Sequence, residues 1–249
     1  MGKKKKKYYA KLKKQYEERF DIEQDSSKSI LKAFEQISDT RKFEIELYWK
    51  RTAYFWALIA MIFVAYFSFL SIGNTVEHKQ VYLMLISSMG IVFTYAWLLA
   101  NKGSKFWQEN WENHLDIIED KVTGPLYKTI LKRPTKKEAK KLKSEGVGFG
   151  DFITRPEAYS VSKINQFIGA FVFIIWCGQA IGVYYEVYAW WREGLSEVRF
   201  YVCSLIVLFT ILFLIIIPIS SATHMGRTNP VMITRKTRIS KVIKGKKKS

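Results

Sequence analysis

The sequence is poor in the residue types that build catalytic and metal sites. Its 249 residues include only two cysteines and three histidines. The cysteines have no CxxC spacing and no two histidines have the spacing of a zinc site, which argues against a disulfide framework and a zinc centre. A serine-hydrolase elbow and a phosphate-binding loop ending in Gly-Lys-Ser or Gly-Lys-Thr are also missing. We therefore expect no enzyme activity, no metal and no cofactor.

Long parts of the chain lack charged residues altogether. Four apolar runs, at 53–72, 81–100, 164–185 and 200–221, contain no Asp, Glu, Lys or Arg. Each run is close to the length of about 20 residues that an α-helix needs to cross about 30 Å of hydrocarbon. Helices are expected because a backbone polar group cannot stay unpaired in lipid. The sequence thus predicts an all-α integral membrane protein with four transmembrane helices and cytoplasmic amphipathic helices.

Positive charge is abundant and confined to one side of the predicted membrane. The formal net charge is +18, and 37 of the 40 lysines and arginines lie in the two terminal regions and the loop after the second run. The positive-inside rule places these regions in the cytoplasm. The chain then divides into a basic N-terminal region, a helix pair, a cytoplasmic helix with a basic loop, a second helix pair and a basic tail: 1–48, 49–100, 101–163, 164–221 and 222–249.

The basic residues suggest anionic lipid as a partner. Residues 3–7 and 244–249 are lysine-rich, and each basic residue near an anionic headgroup contributes about 1 kcal/mol. Nucleic acid is less favoured, because lysine runs without aromatic platforms are a weak indication of it. Arg41, Lys50 and Arg51 are predicted to lie at the membrane surface, where cations on long side chains are favoured.

Two helices are predicted to extend beyond the spans on the cytoplasmic side. No glycine or proline interrupts residues 29–72, so a cytoplasmic helix can run straight into the first span. After the second span, residues 101–105 contain a glycine and are predicted to bend the chain. A separate amphipathic helix over 106–122, ended by Gly124 and Pro125, is then expected to lie just inside the membrane.

The helix over 106–122 holds the densest cluster of aromatic and acidic side chains. One face carries five residues at helical spacing: Trp107, Trp111, His114, Leu115 and Ile118. The acidic residues fall largely on the other face: Glu109, Glu112, Asp116, Glu119 and Asp120. Because this spacing assembles no metal face, we interpret the helix as an assembly element whose acidic face meets Arg41, Lys42 or the next subunit. His114 is interpreted as a structural histidine and not as a ligand.

Small and polar residues inside the spans are the remaining candidates. Gly178 and Gly182 form a GxxxG pair, which permits close contact between helices. Polar side chains cost energy in lipid and usually face protein or water, and seven positions share this small or polar character: Asn165, Gln166 and Gln179 in the third run, and Ser87, Ser88, Gly90 and Thr94 in the second. Two interpretations stay open, namely packing within one chain and contact or pore lining between subunits.

Three segments together resemble a known family. They are 41–67 (RKFEIELYWKRTAYFWALIAMIFVAYF), 105–128 (KFWQENWENHLDIIEDKVTGPLYK) and 160–176 (SVSKINQFIGAFVFIIW), and they resemble the RipA family of octameric bacterial membrane proteins. The resemblance implies a homo-octamer in the bacterial cytoplasmic membrane that acts in stress or defence. More distantly, the family is similar to pore-forming accessory proteins of type VI CRISPR systems. Some of those proteins carry an Arg–His nuclease-like motif, which this sequence lacks.

Two functions from different classes are consistent with these features. The first is a non-enzymatic, ring-forming membrane protein that forms or scaffolds a pore. The second is a membrane-anchored adaptor or sensor that binds a cytoplasmic protein, nucleotide or nucleic acid through its basic regions. Transport of a small solute is disfavoured, because the spans show no inverted repeat and no paired broken helices.

Overall fold

The computed structural model describes residues 27–73, 76–129, 159–195 and 197–222, together with Lys14 and Glu18. The chain divides into two units, Met1–Ile30 with Ala222–Ser249 and Leu31–Ser221. The predictions made for the lysine-rich ends and for the basic loop over 130–158 lie outside the described residues.

Four helices make up the described chain, and no strand occurs in it: α1 (Ser27–Ser71), α2 (Lys79–Val122), α3 (Val161–Arg192) and α4 (Glu197–Ser221). Each is long and apolar enough to cross a membrane. The prediction of an all-α membrane protein with four spans is therefore confirmed.

The first two helices run past the apolar spans without interruption. α1 has 45 residues, as expected for a segment without glycine or proline. α2 has 44 residues and continues through 101–105, so the bend predicted there is wrong. Residues 106–122, which were expected to form a separate helix, are the C-terminal part of α2. Asn101 and Ser104 are each 3% exposed. Packing at these positions holds the helix together where the glycine at 103 alone would weaken it.

The helix ends follow local signals in the sequence. The Ser160 side chain caps α3 by accepting a hydrogen bond from the Lys163 amide (3.4 Å), as expected for serine at this position. After α2 the chain reverses at Gly124, whose φ of 72° lies in the left-handed region that glycine tolerates. Pro218 lies inside α4, which continues to Ser221.

Contacts between side chains define how the helices run. α1 and α2 are antiparallel, since Arg51 contacts Ser104 near one end and Phe69 contacts Tyr82 near the other. α1 and α3 are parallel, because Tyr48 contacts Asn165 and Tyr66 contacts Gln179 farther along. We call the end where α1 and α3 begin the basic end of the bundle, and the opposite end the far end.

The second helix is the most enclosed of the four. In its most apolar stretch 44% of the residues are buried, against 11% in the corresponding stretch of α4. α2 packs against both α3 and α4, and Trp56 of α1 lies edge-on to Trp97 of α2 with ring centroids 5.3 Å apart. α2 is therefore the central helix, and α4 presents most of its surface outward.

Two glycines permit the close approach of α2 and α3. A Cβ atom on Gly90 would lie 2.2 Å from the ring of Trp176, and one on Gly169 would lie 2.8 Å from Leu98. Trp176 is fully buried and also stacks on Phe63 of α1 at 4.3 Å. The small face predicted around Gly90 is thus used for packing inside one chain.

Candidate functional site

Beyond the apolar spans, α1 and α2 continue side by side as an extension, formed by residues 31–52 and 101–122. Arg41 of α1 lies 3.6 Å from the Glu112 carboxylate of α2, and its guanidinium stands 5.6 Å from the centroid of the Tyr127 ring. The predicted contact between the acidic face and Arg41 is therefore confirmed. Lys42 instead pairs with Asp39 on its own helix at 3.5 Å.

The predicted apolar face of α2 is partly covered within one chain. Leu115 and Ile118 are 2% and 3% exposed, so they belong to the core of the extension, and the assembly role predicted for Ile118 stays a prediction. Trp107, Trp111 and His114 are half-buried, and the last two rings lie 5.5 Å apart. The assembly role of these three residues stays a prediction.

Burial affects the protonation of His114. The pKa of its imidazole is lowered because the surrounding protein disfavours the charged form. A neutral histidine beside an aromatic ring fits the structural role that the sequence predicted. In the described part of the chain, no three His, Cys, Asp or Glu side chains come close enough to hold a metal ion.

Glu119 is an exception to the prediction that the acidic residues lie largely on the face opposite the aromatic one. Its side chain is fully buried, and its carboxylate accepts hydrogen bonds from the amides of Tyr127 (2.7 Å) and Lys128 (3.2 Å). The Lys128 ammonium lies 3.6 Å away. The reversal at Gly124 brings these donors back onto the helix end, so Glu119 fastens the loop that leaves α2. Helical periodicity contained no signal of this contact.

A second acidic side chain in this region is affected by its neighbours. The pKa of Asp116 is raised, first by partial burial and then by the negative charge of Glu119, while Lys128 opposes the shift. The end of α2 thus carries a cluster of negative charges. The Lys128 ammonium offsets their repulsion, since it also lies 2.8 Å from the Asp120 carboxylate. The cluster stabilises the loop that leaves α2.

A buried polar layer lies where the extension joins the spans. We define it by six residues of three helices: Tyr48, Thr52, Asn101, Ser104, Ser162 and Asn165. The Asn165 amide donates to the Tyr48 hydroxyl (2.8 Å), and the Arg51 guanidinium donates to the Ser104 hydroxyl (2.8 Å). These two hydrogen bonds tie α1 to α3 and to α2.

The polar layer contains hydrogen-bonding groups that have no partner among the residues the structure describes. They are the Thr52 hydroxyl, the Asn101 amide nitrogen and the Ser162 hydroxyl. Buried polar groups without a protein partner commonly bind ordered water. The arrangement is suited to holding solvent between the helices and to fixing their register.

The polar residues predicted inside the spans are used mainly between helices of one chain. The Tyr66 hydroxyl donates to Gln179 (2.7 Å), and the Ser87 hydroxyl donates to the Leu83 carbonyl of its own helix (2.8 Å). Thr94 is fully buried, and Gln166 is half-buried. For Asn165 and Gln179 the interpretation as interhelical contacts is favoured over pore lining, whereas Ser87 is buried and bonds within its own helix. The tyrosine partners on α1 were not predicted, because tyrosine near a span end is also typical of a membrane interface.

The predicted GxxxG pair is left uncovered by the chain itself. Gly178 and Gly182 are exposed, and no atom lies within 4 Å of a Cβ placed on either. Phe171 and Tyr185 flank them on the same outward face and are 64% and 72% exposed. Of the three basic residues predicted at the membrane surface, Lys50 is exposed, whereas Arg41 and Arg51 connect the two helices of the extension.

Comparison with known proteins identifies a family but no individual relative. A family model described as the octameric membrane protein family (8xMP) matches residues 31–187, which is well over half of the chain. No curated protein and no solved structure matches. The matched range begins in the extension and ends in α3, so it contains the polar layer and the uncovered glycine pair. The RipA name and the more distant likeness to CRISPR accessory proteins stay predictions. The chain belongs to the octameric membrane protein family.

Proposed function

We propose that the protein assembles as a homo-octameric ring in the bacterial cytoplasmic membrane, with its basic end in the cytoplasm, and that the ring forms or scaffolds a pore without catalysing a reaction. Family membership supports a homo-oligomer. The observation that carries the proposal is the uncovered face of α3 around Gly178 and Gly182, which one chain leaves open to a second copy.

The outward faces of α3 and α4 differ in a way that assigns them different neighbours. The outward residues of α4 are large and apolar, with Leu205, Leu208 and Phe213 all more than half exposed. Such side chains suit contact with lipid tails. Gly178 and Gly182 offer no side chain to lipid, but they let a second helix approach closely, which is how helices associate where no hydrophobic driving force exists.

A ring needs a second face that meets the first. α1 supplies one, because Ala60, Val64 and Ser68 are exposed along its outward side. Ring closure by rotation places two different faces of neighbouring copies against each other. When the rotation axis of the ring runs along the membrane normal, residues that contact each other in neighbouring copies lie at the same depth in the membrane. Because Phe63 of α1 lies level with Trp176 of α3, α1 of one copy can meet α3 of the next in register.

The spans limit what a pore could be. They carry no charged residue over the four apolar runs, so a filter built from rings of charged side chains is disfavoured. A conducting path would be lined by small, amide or apolar groups or enclosed by the ring of subunits. A membrane-potential dye in cells that overproduce the protein tests this point: depolarisation supports conduction, and unchanged polarisation supports a closed scaffold.

Assembly is tested by lengthening the side chains at the uncovered face. In Gly178→Leu/Gly182→Leu, we expect loss of the octamer in mass measurements of the detergent-solubilised complex, because the helices can no longer approach. Gly103→Leu is the matched control, since it is also a glycine within a helix with no atom near its Cβ position. An octamer that persists in the double variant contradicts the assigned face, and a monomeric wild type contradicts the assembly itself.

Cross-linking locates the contact independently of side-chain size. After replacement of Cys177 and Cys203 by alanine, Met61→Cys with Ile174→Cys places cysteines at equal depth on the two proposed faces, both exposed in one chain. We expect disulfide-linked dimers and higher species with this pair. Met61→Cys with Leu208→Cys is the control and should give none. Cross-links that form equally in both pairs refute the assignment.

The adaptor or sensor function remains a second candidate. Leu31 and Phe43 lie on the extension, beyond the spans, and are 46% and 56% exposed, so a cytoplasmic partner could cover them. Removal of residues 1–24 and 232–249 discriminates between the functions. Loss of function with intact assembly favours a partner at the basic ends, whereas full function favours the ring alone. The stress or defence role rests on the RipA resemblance and is tested by survival of a deletion strain under envelope stress and phage challenge.

A further inference from the structure

The far end of the bundle holds a polar cleft that the proposed assembly does not use. Its lining includes the residues around the start of α2 and two residues across from them: Glu77, His78, Lys79, Gln80, Trp190 and Arg199. We propose that this cleft binds a phosphate group, supplied either by a phospholipid headgroup or by free phosphate.

The first argument concerns the start of α2. A helix N-terminus carries partial positive charge and unpaired amides. His78 precedes the helix with φ 62° and makes no side-chain cap, while its carbonyl accepts from the amides of Val81 (2.9 Å) and Tyr82 (3.4 Å). The amides of Lys79 and Gln80 have no backbone acceptor among the described residues. Two donors are therefore available at the cleft.

The second argument is independent of the helix end and concerns Gln80. Its side chain is 8% exposed and lines the cleft, yet it makes no hydrogen bond to any residue that the structure describes. Its amide group is thus free to bond a molecule that enters the cleft. Within this cleft its NH2 group is a third donor, and an acceptor with several oxygen atoms would satisfy it together with the backbone amides.

The third argument concerns Arg199. Its guanidinium stands 5.7 Å from the centroid of the Trp190 ring, and no carboxylate of the described chain pairs with it. It also lies in the first turn of α4, where the helix dipole disfavours a cation. An anion between Arg199 and the start of α2 would stabilise the guanidinium at this helix end. Phosphate suits this position because its oxygens match the geometry of the guanidinium.

The charge around the cleft favours an anion over a cation. Lys79 adds positive charge while its ammonium donates to the Leu70 (3.0 Å) and Ile72 (2.6 Å) carbonyls at the end of α1. The one carboxylate in the lining, Glu77, lies 3.4 Å from the His78 imidazole. The cleft stands at the ends of the apolar helices, which is the depth of headgroups in a bilayer, so a lipid phosphate has direct access.

The test uses the full chain in detergent after removal of bound lipid. The probes are short-chain phosphatidylglycerol, inorganic phosphate and a short-chain diacylglycerol that lacks phosphate, with binding followed by native mass spectrometry and thermal shift. We expect Arg199→Gln and Gln80→Leu to weaken phosphate-group binding about tenfold or more, and Arg199→Lys to weaken it less. Arg192→Gln is the control, because it removes an arginine at the same end that does not line the cleft.

Each outcome decides the proposal. Binding of phosphatidylglycerol alone identifies a headgroup as the source, and binding of inorganic phosphate as well identifies a site for the phosphate group itself. If diacylglycerol binds as tightly as phosphatidylglycerol, or if Arg199→Gln binds like the wild type, the proposal is wrong. Because the octamer mass is measured in the same spectra, loss of the site is distinguished from failure of the assembly.

Discussion

A pair of glycine substitutions on α2 tests the packing of the bundle with opposite expected signs. Gly90→Ala places a Cβ atom at 2.2, 2.5 and 2.7 Å from three atoms at the fused part of the Trp176 indole. That ring cannot swing away, because it is fully buried and stacked on Phe63. Overpacking of this kind costs about 1–3 kcal/mol, and we expect the upper part of this range because all three contacts are with rigid ring atoms.

Gly103→Ala is the matched change on the same helix. No atom lies within 4 Å of a Cβ at this position, and the residue is exposed inside a continuous helix. Alanine is more favourable than glycine there by about 0.5–1 kcal/mol. We therefore expect Gly103→Ala to raise the free energy of unfolding where Gly90→Ala lowers it.

The measurement is thermal or denaturant unfolding of the detergent-solubilised protein, followed by helical circular dichroism and by tryptophan fluorescence. The fluorescence should respond to Gly90→Ala more than to Gly103→Ala, since Trp176 is the displaced group. A Gly90→Ala protein as stable as the wild type refutes the close approach of α2 and α3. A destabilised Gly103→Ala protein refutes the continuous helix and restores the bend predicted from the sequence.

Four further predictions concern the basic end. Glu119→Gln should speed hydrogen exchange of the two loop amides that Glu119 binds and cost about 1–3 kcal/mol; unchanged exchange contradicts the fastening role. Burial lowers the pKa of His114 in the folded state, so the unfolded chain binds a proton at this residue more readily than the folded chain does. The contribution of neutral His114 to the stability of the fold is therefore complete well above the ordinary pKa of 6.5 and is lost as the pH falls below it. His114→Gln should flatten the pH dependence of the melting temperature, and a profile identical to that of the wild type contradicts this. Tyr48→Phe leaves the buried Asn165 amide without its acceptor and should lower the free energy of unfolding by about 1–3 kcal/mol. Unfolding measurements check this, and an unchanged unfolding midpoint contradicts it. Trp111→Ala should lower octamer yield while His114→Ala leaves it near the wild-type level, as mass measurement would show; equal yields contradict the assembly role.

Some of these features could be predicted from residue order and others could not. The contact between Arg41 and the acidic face was predictable, because both partners lie on amphipathic helices at the same side of the membrane. The burial of Glu119 was not, since it depends on a loop that folds back after Gly124 and brings two amides to the carboxylate. The bend at 101–105 was wrongly predicted because local propensity at one glycine was outweighed by packing at Asn101 and Ser104.

The sequence by itself determined the number of membrane-spanning helices, their membrane class and the segregation of charge. The reason is that the cost of burying charge and unpaired backbone in lipid acts on each segment separately, so composition and length suffice. Only the tertiary structure decided which small residues face inward. Gly90 meets the indole of Trp176, whereas Gly178 and Gly182 meet no side chain among the described residues, although all three lie in apolar helices and look alike in sequence. That difference depends on the rotation of each helix about its axis, which is set by contacts among all four helices together.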